Sequence, residues 1–172
     1  MGWQQLITDV LTKVSEIIGK ALDGMTIEDL NYRPRPDCNS MGWLAWHLTR
    51  VQDRGISELT GEEQLWIKDK WYARFNRKAD PMDTGFGHST EQVAAFRSPD
   101  SKTLLEYYNA VLEMTKRYIG QLKETDLDKK FDHPVFPTVN ARLVGVINDN
   151  LQHAGQIAYV RGLLKGKGWL GI

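Results

Sequence analysis

Four long stretches of the sequence place apolar residues three and four positions apart, the spacing that collects them on one face of an α-helix. The stretches cover approximately residues 3–22, 39–60, 98–122 and 138–165. No segment shows the alternation of apolar and polar residues that a half-buried strand requires. Because an amphipathic helix must bury its apolar face against a neighbour, the pattern predicts an all-α fold, a four-helix bundle.

The connection between the second and third predicted helices, residues 61–97, is unusually long. Its first half contains four aromatic residues, Trp66, Trp71, Tyr72 and Phe75. A glycine-containing stretch follows at residues 84–88, and Ser89 with Gln92 predicts a short helix through a capping box. Long connections inside compact domains are commonly lids or binding loops, so we expect this one to have a function.

Composition constrains the partners and the compartment. The 172 residues fit a single domain, residues 1–172, and 22 basic residues balance 22 acidic ones. A net charge of zero argues against nucleic acid or an anionic membrane surface as a partner. The single cysteine, Cys38, has no partner for an internal disulfide, and the first residues lack a signal-peptide pattern. We therefore expect a cytoplasmic protein.

A candidate metal site combines the second and fourth predicted helices. Asp149 and His153 are four residues apart and so share one helix face, while His47 lies on the apolar stripe of the second helix. Two imidazoles and a carboxylate suit zinc, nickel or ferrous iron, and leave coordination positions open for water or substrate. The alternatives from spacing alone are a hydrogen-bonded core histidine at position 47 and a local hydrogen bond between Asp149 and His153.

Other polar residues have two interpretations each. Gln156 lies on the same helix face as His153, and it is either a partner of the site or a solvated side chain. His88 is either an acid or base folded over the metal or an exposed loop histidine. Cys38 is either a thiolate activated by the start of the second helix or an inert, partly buried thiol. Arg50 would bind a carboxylate substrate or form a surface ion pair.

Three segments resemble the DinB/YfiT-like metalloenzyme family: residues 39–50, residues 151–162 and, as in some members, residues 85–93. The resemblance spans nearly the whole chain. It implies helices in up-down-down-up order, frequent dimerisation, and a divalent metal between the second and fourth helices. Many members have histidine where this chain has Asp149, whereas the related thiol-dependent maleylpyruvate isomerases are similar in placing a carboxylate there.

The resemblance also implies a function. A divalent metal, zinc or nickel, would activate a bound thiol or water for thiol transfer, isomerisation or hydrolysis of a small molecule. A low-molecular-weight thiol is the expected cosubstrate, and a homodimer is the expected assembly. His47, Asp149 and His153 would hold the metal, and His88 or Gln156 would orient the reacting groups. The alternative is a non-catalytic, stress-related or small-molecule-binding bundle with a vestigial metal site.

Overall fold

The computed structural model describes residues 2–169 and contains eight α-helices within that range. In chain order they are α1 (Trp3–Leu22), α2 (Ile27–Asn31), α3 (Met41–Thr60), α4 (Leu65–Lys68), α5 (Trp71–Arg74), α6 (Thr90–Ala95), α7 (Ser101–Gln121) and α8 (Val139–Lys165). No strand occurs among these residues, where the only β pairing is an isolated bridge between Lys130 and Thr138. The predicted all-α fold is confirmed.

The four long helices, α1, α3, α7 and α8, coincide closely with the four predicted stretches. Side-chain caps fix three of their starts: the hydroxyls of Ser40 and Thr138 and the carboxylate of Asp100 each accept a backbone N–H of the first turn. The short α6 begins with the predicted capping box of Ser89 and Gln92. None of the helices in this range is long and apolar enough to cross a bilayer.

Helices α2, α4 and α5 were not predicted from the sequence. Each contains only four or five residues, which is too short to display a helical repeat of apolar positions. α4 and α5 bring Trp66 and Trp71 into the core, where both indole rings are buried. The first half of the long connection is therefore folded against the bundle rather than open.

Each of α1 and α3 packs against both α7 and α8. α7 runs antiparallel to α1, α8 runs parallel to α1, and α3 runs antiparallel to α8, which gives the up-down-down-up order. The hydrogen bonds that establish these directions join helix ends: Ser101 to Leu22, Arg161 to Asp23, and Arg142 to Glu58. Because α3 and α7 point the same way, the chain between them must cross the length of the bundle.

A buried carboxylate attaches this crossover to α3. Asp53 is fully buried, and its two oxygens accept the backbone N–H groups of Leu65 and Trp66 at 2.9 and 2.8 Å. The hydroxyl of Tyr107, on α7, donates to the same carboxylate at 2.7 Å. One side chain of α3 therefore fixes both the start of α4 and the facing helix.

Arg50 completes the buried network. Its guanidinium lies 3.4 Å from Asp53 and donates to the carbonyls of Pro81 and Asp83 at 3.0 and 3.1 Å. It also lies over the Trp66 ring, 4.6 Å from the centroid. Neither a surface ion pair nor a substrate contact is possible for a fully buried side chain, so both interpretations of Arg50 were wrong.

Replacing Asp53 with alanine should lower the free energy of unfolding by about 3–5 kcal/mol, because Arg50 would remain as a buried charge without its counter-ion. Urea unfolding followed by circular dichroism measures the change. The control is Glu113→Ala, at an exposed position of α7, which should change stability by less than about 0.5 kcal/mol. A loss below about 1 kcal/mol for Asp53→Ala would contradict the role given to the network.

Candidate metal centre

His47 lies on the buried face of α3 and is oriented by the long connection. Its Nδ1 is 2.5 Å from the carbonyl oxygen of Thr84. Because a carbonyl only accepts, Nδ1 carries a proton, and Nε2 is the ring nitrogen that faces Asp149 on α8. The ring stacks on Trp43 with 4.7 Å between centroids, which prevents it from turning.

Gly85 allows the connection to approach His47 this closely. Its φ of +86° lies in the left-handed region, and a Cβ there would come within 2.7 Å of the Trp43 ring and 2.8 Å of the Trp46 ring. Glycine is the residue that tolerates both the dihedral angle and the approach. The carbonyl of Thr84 reaches His47 because the next residue has no side chain.

Asp149 and His153 occupy successive turns of α8 and face His47. The Oδ1 atom of Asp149 lies 3.7 Å from His47 Nε2 and 3.4 Å from His153 Nε2. The Nδ1–H of His153 donates to Gln156 Oε1 at 2.7 Å, so Nε2 of this ring also faces the carboxylate. The structure therefore brings together the three residues predicted from the sequence, with their donor atoms all within 4.8 Å of one another.

The charges of these groups depend on one another. Burial raises the pKa of Asp149, but its contacts with His153 and His47 outweigh burial, and the pKa is lowered overall. Burial opposes protonation of His153, but the adjacent Asp149 carboxylate raises the pKa of His153 above its usual value. Asp149 is thus held as an anion, and the space beside it favours a positive charge.

These donors fit a divalent cation. When both imidazoles are neutral, their Nε2 atoms and the Asp149 carboxylate point three lone-pair-bearing atoms at one another, and either a cation or a proton on His153 relieves the repulsion. The second oxygen of Asp149 is buried and has no hydrogen-bond partner among residues 2–169. Histidine ligands of metals commonly donate their other ring nitrogen to a carbonyl or similar acceptor, as His47 and His153 do here. Donor atoms in a tetrahedral zinc site lie roughly 3–3.5 Å apart. The 3.4 Å between Asp149 and His153 falls in that range, the 3.7 Å between Asp149 and His47 is slightly longer, and all donor atoms lie within 4.8 Å of one another.

His88 lies near this group but outside it. Its side chain is only 12% exposed, so the expectation of an exposed loop histidine was wrong. Its Nδ1 accepts the indole N–H of Trp43 at 3.3 Å, and Nε2 contacts Asp83 at 3.0 Å. Both ring nitrogens are therefore engaged, and His88 supports the Trp43 ring that stacks on His47.

The remaining candidates lie on the opposite side of the site. Gln156 accepts the hydrogen bond from His153, in agreement with a role as a partner of the site. Cys38 is partly buried, and with Gln156 and Tyr159 it lines a groove of about 540 Å³. A catalytic role for Cys38, His88 or Gln156 stays a prediction.

Sequence reasoning missed Thr84, because it acts through its backbone carbonyl, which every residue type possesses. The sequence feature that could have indicated a specific turn beside Thr84 was the pair of glycines at positions 85 and 87. Both residues have a positive φ, which marks a turn whose shape is specified.

Comparisons with known proteins agree with this architecture. A solved structure described as a conserved protein from Enterococcus faecalis has a TM-score of 0.88 and 32% identity, covering 97% of this chain and 99% of that chain. Comparison with proteins of curated function gives no significant match. The family description that matches, over residues 11–157, is that of the DinB superfamily. The chain therefore belongs to the DinB superfamily.

Proposed function

We propose that this protein is a metal-dependent enzyme that binds zinc or nickel through His47, Asp149 and His153. The observation that carries the proposal is the convergence of two Nε2 atoms on the Asp149 carboxylate, with both Nδ1 atoms already engaged elsewhere. Three protein ligands leave positions open for a substrate.

The proposed reaction is thiol transfer, isomerisation or hydrolysis of a small molecule, with a low-molecular-weight thiol as cosubstrate. A bound divalent metal would lower the pKa of a thiol or water and provide a nucleophile at neutral pH. The protein's own contribution is positional: Thr84 and Gln156 orient the two imidazoles, and the Trp43 ring excludes water from one side of His47. We place this reaction in the cytoplasm, where thiols remain reduced.

One observation favours the alternative of a non-catalytic binding protein with a vestigial metal site. The donor atoms spread over as much as 4.8 Å, which is wider than an occupied zinc site. Metal content and turnover distinguish the two functions. An enzyme retains stoichiometric metal and converts electrophiles in the presence of a thiol, whereas a vestigial site does neither.

Replacing His153 with alanine should abolish zinc binding, because it removes one of three ligands, and should leave the helical circular dichroism spectrum unchanged. Metal analysis of protein purified without an affinity tag provides the measurement. The matched control is His133→Ala, since His133 contacts Phe131 and Phe136 rather than the candidate ligands. Full zinc content in the His153 variant would refute the assignment.

Replacing Gly85 with alanine tests the support of His47. The added Cβ would push the Thr84 carbonyl away, so zinc affinity should fall roughly 10- to 100-fold, the usual effect of losing a hydrogen-bond partner of a ligand. Gly120→Ala, at a helical glycine with open space around it, should leave affinity unchanged. Equal zinc affinity for both variants in a competition titration would show that Thr84 does not orient His47.

We also propose that the protein forms a homodimer through α8. The outward face of this helix exposes a stripe of large apolar side chains, Val144, Leu151, Tyr159 and Leu163. Gly155 and Gly162 lie on the same face with open space around them, which keeps the stripe flat enough for close approach of a second helix. Exposed apolar patches of this kind mark association surfaces.

Replacing Leu163 with glutamate should shift the dimer to monomer, because it would bury an unpaired charge in the interface. Leu6→Glu is the matched control: Leu6 is 61% exposed and Leu163 is 51% exposed, but Leu6 lies on α1. Sedimentation velocity of the parent protein and the two variants at equal concentration measures their oligomeric states. A monomeric parent protein, or a Leu163 variant that remains dimeric, would contradict the proposal.

A further inference from the structure

A second feature extends from the candidate metal centre along the outside of α3 and α8. A groove of about 360 Å³ begins at Asp149 and runs towards the start of α8. Its lining is aromatic and aliphatic on one side and cationic on the other. Its lining includes Arg54, Arg142, Phe86, Val135 and Phe136.

Arg142 is held rigidly in the wall of this groove. Its side chain is buried, its Nε donates to Glu58 at 2.9 Å, and its guanidinium lies 4.6 Å from the centroid of the Phe136 ring. On the other side it lies against Gly55, where a Cβ would come within 2.9 Å of the guanidinium. A planar group fixed on three sides presents its remaining N–H donors in one direction.

Arg54 brings a second positive charge to the same place. Its Nε donates to the other oxygen of Glu58 at 2.7 Å, so one carboxylate serves two guanidinium groups. Among the residues that the structure describes, neither arginine makes any further hydrogen bond through its terminal nitrogens to a protein acceptor. The group of Arg54, Glu58 and Arg142 therefore carries a net charge of plus one, because two guanidinium groups share one carboxylate, and it has free donors.

Structural support alone does not require both arginines. The pair of Glu58 and Arg142 already joins α3 to α8. Arg54 and Glu58 lie on the same helix, so their contact adds no link between helices. The second guanidinium adds charge to the groove rather than a tertiary contact.

The sequence spacing relates the arginines to the metal centre. Arg54 follows His47 by seven residues on α3, and Arg142 precedes Asp149 by seven residues on the antiparallel α8. Two helical turns correspond to a rise of about 10.5 Å, so the arginines lie about that far from the metal ligands along the bundle. Phe86 and Val135, which are 90% and 69% exposed, lie at the mouth of the groove.

We propose that this groove binds an organic carboxylate as the substrate or cosubstrate of the metal centre. The carboxylate pairs with Arg54 and Arg142, the apolar body covers Phe86 and Val135, and the reacting end points to the ligands on α3 and α8. Guanidinium groups match a carboxylate through paired, charge-assisted hydrogen bonds. The position of the reacting end rests on the proposed function, whereas the anion site rests on the arginines alone.

The test compares two thiols that differ only in the distal group, 6-mercaptohexanoate and 6-mercaptohexan-1-ol, by calorimetric titration of the zinc-loaded protein. The acid should bind at least about tenfold more tightly than the alcohol, as a charge-assisted pair requires. In Arg54→Gln, which leaves the bridge between Glu58 and Arg142 intact, this preference should disappear. Arg117→Gln, which removes the same charge from an exposed position on α7, should retain it.

A preference for the acid that is equal in the parent protein and in Arg54→Gln overturns the proposal. If neither thiol binds, the result contradicts the proposed binding of a thiol by the metal. The anion site is then tested separately, by titrating the metal-free protein with hexanoate and with hexan-1-ol. A preference for hexanoate that depends on Arg54 then upholds the anion site without the metal reaction. The absence of such a preference overturns the anion site as well.

Discussion

The geometry of the candidate metal centre depends on a buried ion pair that lies outside it. Asp53 orients Arg50, and Arg50 holds the carbonyls of Pro81 and Asp83, directly before the Thr84 carbonyl that orients His47. Forming a buried charge pair costs free energy because both groups lose their hydration. Removing one partner also destabilises the fold, because the other charge then remains buried without a counter-ion. The long connection is therefore held in one position on α3, and the His47 ring takes its orientation from it.

The features that could be predicted from the sequence were those marked by a periodic pattern of apolar residues or by a fixed spacing between polar ones. Four apolar stripes identified the long helices, and the four-residue step from Asp149 to His153, with an inward His47, identified the candidate ligands. The short helices escaped prediction because four or five residues are too few to display a helical repeat. The Arg50 network escaped prediction because most of its partners, Gln64 and the carbonyls of Pro81 and Asp83, are distant in sequence.

The position of α8 explains how one helix serves several purposes. Its inner face packs on α1 and α3, a second face carries Asp149 and His153, and its outward face exposes the apolar stripe that includes Tyr159. The apolar residues of α8 therefore extend well beyond the single stripe predicted from the sequence, and several of them are exposed. Assigning its faces therefore required the structure, although its existence and length were evident from the sequence.

The antiparallel arrangement of α3 and α8 also constrains the ligand that we propose for the groove. Equal steps of seven residues, from His47 to Arg54 and from Asp149 back to Arg142, bring two pairs of side chains together at two levels of the same interface. One level has a partly buried anion between two histidines, and the other has two cations around one carboxylate. A ligand that satisfies both levels must place a metal-binding group and a negative charge at opposite ends of an apolar body. For the proposed ligand, the charge pattern would thus select both the position of its charged group and its length, which is a stronger constraint than the volume of the groove alone.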